Sequence, residues 1–151
     1  MTTSSISSPL LGWREWVGLP DLNIKKLKAK VDTGARTSAL HAFALDPYKK
    51  AGQDWIMFAI HPEQNNTDII IECHAPIKDK RIVSDSGGHK QRRYVIETKL
   101  ILGQTPITAE LTLTNRDSMV FRMLLGRTAI NNQYLVAPSE SYIQGEPNIL
   151  N

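Results

Sequence analysis

Apolar and polar residues alternate in short runs along most of the chain, and Gly, Pro and Asn separate the runs. Leu27, Ala29 and Val31 alternate with Lys26, Lys28 and Lys30, which is the two-residue period of a half-buried strand. Ile107, Ala109, Leu111 and Leu113 alternate with Thr108, Glu110, Thr112 and Thr114 in the clearest strand of the sequence. Tyr94, Ile96, Thr98, Leu100 and Leu102 alternate with Val95, Glu97 and Lys99. Further strands are expected over residues 13–19, ended by Pro20-Asp21, and over 37–45, stopping at Asp46-Pro47. Others are expected over 55–60, over 69–73 after a turn at 62–67, and over 119–125 as the last long strand. Residues 84–93 read as a hairpin with Gly87-Gly88 at its tip, and Gly103-Gln104 as a turn. Many short strands with regular turn signals predict an all-β, closed barrel.

A chain of 151 residues is one domain of ordinary size, large enough for a real core. The expected division is a Ser/Thr-rich disordered tail at 1–9, a domain at 10–138 and a polar C-terminal arm at 139–151. Hydrophobic residues at 41% and charged residues at 22% describe a soluble globular protein. The net charge of +3 is spread along the chain, so no nucleic-acid partner is expected. Neither an apolar run of spanning length nor a signal peptide is visible, so no membrane is expected and the cytoplasm is the default compartment. Lone Cys73 excludes an internal disulfide, which fits a reducing compartment.

The candidate chemistry sits at Val31-Asp32-Thr33-Gly34-Ala35-Arg36-Thr37-Ser38-Ala39-Leu40. Asp32 arrives at a strand end, and Thr33-Gly34 turn the chain sharply because Gly takes backbone angles that other residues avoid. Asp and Gly are also ordinary turn residues, so the tripeptide alone reads equally as a surface turn. A second signal follows late in the chain, where Met123-Leu124-Leu125-Gly126-Arg127 closes an apolar run. This wording resembles the second signature of the retroviral-type aspartic peptidases, whose late strand packs behind the Asp-Thr-Gly loop; the resemblance implies that Gly126 allows close packing there, with Arg127 bridging subunits or chain ends.

Together these stretches resemble the retroviral-type aspartic peptidases. The longer wording Asp-Thr-Gly-Ala-Arg-Thr-Ser-Ala-Leu-His-Ala, with Leu-Thr-Leu-Thr-Asn-Arg-Asp-Ser-Met, resembles a narrower family. That family is often labelled "ATP-dependent zinc protease" (DUF785) and is associated with ATP-grasp glutamate ligases of the RimK type. The resemblance covers residues 13–136 and implies a retropepsin-like barrel with one short C-terminal helix, expected over 128–134 and weakened by Asn131 and Asn132. It implies catalysis by Asp32, with Thr33 joining two such loops and Gly34 letting substrate backbone approach. Residues 84–93 would be the flap, with mobile Gly87 and Gly88 at its tip; an ordinary surface hairpin is the alternative.

Peptidase chemistry of this kind needs two carboxylates sharing one proton, since like charges that close cannot both ionise. The chain carries a single Asp-Thr-Gly, so a homodimer would have to supply the second Asp32. The alternative is an inherited fold without activity, serving as a peptide-binding module beside a glutamate ligase.

Where many retroviral enzymes have an acid, this chain has Arg36, and the flap side adds Lys90, Arg92 and Arg93. Ala35, Arg36, Gly87, Gly88 and Arg92 are therefore the expected substrate-binding residues. A guanidinium fork suits carboxylates, so the expected substrate is an acidic or glutamate-extended peptide. Arg36 could instead form an ion pair with Asp46, Asp117 or a partner's acid.

The zinc and ATP of the family label find no motif. No His-Glu-x-x-His or paired ligand spacing and no phosphate loop is present, so neither metal nor cofactor is expected. His41, His61, Cys73, His74 and His89 are scattered, with Cys73 and His74 expected on opposite faces of one strand. His41 lies inside the motif as a candidate neighbour of Asp32. A metal-dependent hydrolase is the third reading.

Overall fold

The computed structural model describes residues 9–84, 87–115, 120–131 and 133–149. In chain order the strands are β1 (Leu10–Leu11), β2 (Arg14–Leu19), β3 (Ile24–Val31), β4 (Ser38–His41), β5 (Phe43–Lys50) and β6 (Gln53–Ile60). They continue with β7 (Ile71–Pro76), β8 (Asp79–Ser84), β9 (Lys90–Leu102), β10 (Thr105–Thr114) and β11 (Met123–Leu125). Helix α1 (Arg127–Ile130) and strand β12 (Leu135–Val136) end the series.

The fold is the expected β-barrel. Strands run β10-β4-β11-β3-β2-β9, and β9 pairs back onto β10, so the sheet closes into a ring with β8 attached outside β9. Closure follows from the two-residue period: Leu27 and Ala29, Ile96 and Leu100, Leu111 and Leu113 all turn inward and are fully or almost fully buried. Each such Leu or Ile contributes about 1.5–3 kcal/mol, so a one-residue register slip would be costly. The smaller sheet β5-β6-β7 sends Ile56, Phe58 and Ile60 into the same core.

Several elements differ from the sequence expectation. The strand expected over 37–45 is two strands. β4 joins the barrel, while β5 pairs with β6 across a register shift between Phe43 and Asp46, with Ala44 at φ 54. β5 runs through Asp46-Pro47 because it is an edge strand, where a missing N–H costs no ladder bond. Ile69 and Ile70 precede β7 and remain exposed.

The strand expected over 119–125 is only Met123–Leu125, with Met119 lying outside the described residues. Helix α1 is one turn, ended when Asn131 takes extended angles. β10 is buried on both faces in its second half, where Thr112 and Thr114 lie beneath Arg93 and Gln91 of β9.

The polar C-terminal segment is fastened to β2. Trp13 N donates to Glu140 O at 2.8 Å, Tyr142 N to Arg14 O at 2.9 Å and Asn148 N to Gly103 O at 2.7 Å. The Glu15 carboxylate, wholly buried, accepts Gly12 N at 2.7 Å, Ile143 N at 3.0 Å and Gln144 N at 3.1 Å. A buried carboxylate is tolerable when its lone pairs are taken in this way. Among the described residues, no helix is long and apolar enough to cross a membrane.

Candidate active site

β11 is threaded between β3 and β4, parallel to the first and antiparallel to the second. This placement fixes the Asp32 loop from behind. Asp32 N donates to Leu125 O at 2.9 Å, and Ala35 N closes the turn on Asp32 O at 3.2 Å. The first N–H groups of a helix lack partners within it. Here Arg127 N and Thr128 N find them in Ala35 O at 2.8 Å and Arg36 O at 3.0 Å. Arg127 also sends Nη1 to Thr33 O at 3.1 Å, so it braces this loop within the subunit.

Gly126 is needed for that approach. A Cβ there would stand 2.7 Å from the Thr37 carbonyl carbon and 2.9 Å from Ser38 N. Its own N–H donates to Ser38 Oγ at 3.0 Å. The close packing expected of Gly126 is what the backbone shows.

Asp32 is half-buried, and among the described residues its side chain accepts one hydrogen bond, from Gly34 N to Oδ1 at 3.0 Å. Thr33, Gly34 and Arg36 are exposed, and Ala35 is half-buried. The loop backbone is thus pinned while its carboxylate keeps open acceptor positions. Among the described residues Arg36 has no ion pair. Asp46 is not its partner, and Asp117 lies outside the described residues.

The hairpin β8–β9 carries Gly87, Gly88 and Arg92, all exposed, with Gly88 at φ +82. Its base is held by charge. Arg81 grips Glu110 through Nη1 at 2.9 Å and Nη2 at 3.1 Å and reaches Asp79 at 2.8 Å, while Lys78 reaches Glu97 at 2.6 Å and Glu110 at 3.0 Å. Hydrogen bonding from Arg81, then from Lys78, lowers the Glu110 carboxyl to about 2.

Hairpin and loop are connected by a chain of polar contacts that sequence reasoning missed. Arg93 Nη1 donates to Thr112 Oγ1 at 3.3 Å, Thr112 Oγ1 to Ser38 O at 3.3 Å, and Ser38 Oγ receives Gly126 N. Thr112 and Ser38 look like routine strand residues in the sequence, so only the register discloses the link.

The residues considered for metal are not assembled. Among the described residues, no group of three or more His, Cys, Asp or Glu could hold an ion. Cys73 is buried with its thiol directed at Leu22 O, and burial above all, then the Glu72 charge, pushes it up to about 12. His74 faces the other way, between Tyr48 Oη at 2.8 Å and Glu72 at 2.9 Å. His61 stacks on Phe43 at 4.5 Å. His41 is buried at the end of β4 away from Gly126, with its N donating to Arg122 O at 2.8 Å. These donors do not fit a zinc centre, and no step is built on one.

A model of the RimB-like family, described as retropepsin-like aspartic endopeptidase RimB, matches residues 10–147. A Shewanella pealeana protein named "Probable alpha-L-glutamate ligase" is 47% identical over 91% of this chain and 30% of its own length. A similarly named Desulfotalea psychrophila protein is 38% identical over 95% of this chain and 31% of its own. The chain thus spans about 30% of the length of the curated relatives it matches. A crystal structure of a Legionella pneumophila protein of unknown function (DUF785) superposes with TM-score 0.76 at 27% identity, covering 91% of this chain and 99% of that one.

Proposed function

The chain belongs to the RimB-like family of retropepsin-like aspartic endopeptidases, and from that premise we propose that it is an aspartic peptidase acting as a homodimer. The observation that carries the reading is the Asp32 loop: a backbone fixed by Leu125, Arg127 and Thr128, bearing a half-buried carboxylate with open acceptor positions. A second Asp32, brought up across a two-fold axis, would share one proton with the first. One carboxylate then withdraws a proton from water as the water attacks the scissile carbonyl, and the other protonates the departing amine. Thr33 and Gly34 are exposed, as a loop meeting its symmetry mate and a substrate backbone must be. The hairpin β8–β9 is the proposed cover.

Arg36 and Arg92, both exposed, support an acidic or glutamate-extended substrate, because a guanidinium binds a carboxylate through two parallel hydrogen bonds. Longer relatives named as glutamate ligases support a role beside such a ligase.

The test is hydrolysis of glutamate-rich peptides by the wild-type chain and by Asp32→Asn, followed by mass spectrometry. Cleavage that falls at least about a thousandfold in Asp32→Asn supports the proposal. Cleavage untouched by Asp32→Asn contradicts it. Binding of the same peptides by both proteins with no cleavage by either makes the chain a peptide-binding module instead.

A further inference from the structure

A second feature, absent from the peptidase reading, lies on the outer face of β2 and β3. Leu27 and Ala29 face the core, so Lys26, Lys28 and Lys30 share the opposite face at intervals of about 6.7 Å. Register sets Arg14 opposite Lys30 and Trp16 opposite Lys28, which adds a further cation and an indole to the same face.

The Lys26 and Lys28 ammonium groups stand 5.1 and 5.4 Å from the Trp16 ring centre. On the other side of β2, Tyr142 stacks against Trp16 at 5.5 Å. Beside this platform is a groove of about 570 Å³, lined by Trp16, Lys25, Lys26, Lys28, Pro62 and Ile71 among others.

Positive charge is in excess, with Lys25, Lys26 and Lys28 on the groove wall against Glu63 there. Lys26 pairs with Glu146 at 2.7 Å, both side chains more than half exposed. Among the described residues, Lys25, Lys28 and Lys30 have no ion pair. Glu63, also on the groove wall, accepts from Asn66 Nδ2 at 3.0 Å, and as a carboxylate it offsets one of these positive charges.

We infer that this groove is a second binding site for carboxylate-rich extended peptide, separate from the Asp32 loop. The cation spacing matches alternate side chains of an extended strand, so successive acidic residues on one face of a peptide meet successive lysines. Lysine serves as a point charge here, without demanding one carboxylate geometry. Pro62 and Ile71 supply an apolar surface for the methylenes of glutamate side chains. Single-stranded nucleic acid fits worse, because base stacking needs an open aromatic face. Those of Trp16 are approached by Tyr142 from one side and by the lysines of β3 from the other.

Lys28 lies four residues before Asp32, about 13 Å of strand, so one acidic segment can engage the groove while a neighbouring segment enters the active site. As a second contact for the proposed substrate, the groove rests on the peptidase reading for its purpose, though its occupancy is measured independently of cleavage.

The experiment uses the full chain carrying Asp32→Asn, which removes hydrolysis, with fluorescein-labelled hexaglutamate at low salt. Amide shifts are mapped by NMR and affinity is read by anisotropy. Expected are shifts centred on Trp16, Lys26 and Lys28, together with roughly a tenfold loss of affinity in Lys25→Gln/Lys26→Gln/Lys28→Gln. A charge-preserving Lys28→Arg variant retains binding. The inference is overturned if shifts are confined to the Asp32 loop and hairpin, or if the triple variant binds unchanged. It is also overturned if a single-stranded oligonucleotide of equal charge outcompetes the peptide at the groove. Cleavage by the wild type without groove shifts would sink this inference and spare the proposed function; groove shifts without cleavage would do the reverse.

Discussion

Two carboxylates, Asp32 and Glu15, both accept backbone N–H groups, yet their surroundings differ. Glu15 is wholly buried and accepts three N–H bonds, two of them from residues near the C-terminus. Its capacity is consumed in fastening the C-terminal segment to β2. Asp32 is half-buried and accepts one, from Gly34, while the stiffness of its loop comes from backbone bonds at Leu125, Arg127 and Thr128. A carboxylate whose acceptors are saturated is structural. One whose backbone is fixed but whose oxygens stay open is available for chemistry.

The sharpest way to break this contrast is to remove one acceptor from each site. Glu15→Gln turns an NH₂ toward backbone donors in a water-free site, and a loss of about 3 kcal/mol is expected in urea unfolding. A loss below about 1 kcal/mol would mean that Glu15 does not hold the segment. Next in size is Gly126→Ala, which presses a methyl group on the Thr37–Ser38 backbone. It is expected to cost about 2 kcal/mol and to disturb the Asp32 loop along with it, read as loop amide shifts.

Glu110 is intermediate between the two, with a quarter of its side chain exposed and its acidity raised by Arg81 and Lys78. Its folded pKa is depressed, from 4.5 to about 2. Its contribution is therefore complete above the unfolded value and lost as pH falls from about 4.5 towards 2. Glu110→Gln should remove about 1 kcal/mol at neutral pH and flatten the stability profile in that acid window. The smallest stability effect belongs to Asp32→Asn, within about 0.5 kcal/mol of wild type, since Asn retains the acceptor for Gly34. A large loss there would make Asp32 a structural residue like Glu15.

The same contrast explains what was legible in the sequence. Alternation gave β3 and β10, and the Asp-Thr-Gly turn at the end of β3 gave the candidate site. Gly126 could be paired with it through a family resemblance. The Glu15 clamp was invisible because its partners are backbone groups, which every residue carries, at the far end of the chain. The Arg93–Thr112–Ser38 link was hidden for a related reason: it depends on which strands become neighbours, and alternation within one strand is silent on that. Likewise Asp46-Pro47 signals a stop in local terms, and only the edge position of β5 permits the strand to continue.

The central claim is that catalysis needs two Asp32 side chains from two subunits. It is tested most directly by mixing wild type with Asp32→Asn at fixed total concentration, under conditions where subunits exchange, and measuring hydrolysis of a glutamate-rich peptide. If each active site requires both carboxylates, activity follows the square of the wild-type fraction, and an equal mixture retains about a quarter of the full rate. Activity that falls only to about half, as for independent subunits, or to about three quarters, as for a shared site in which one Asp32 suffices, would contradict the shared-proton mechanism.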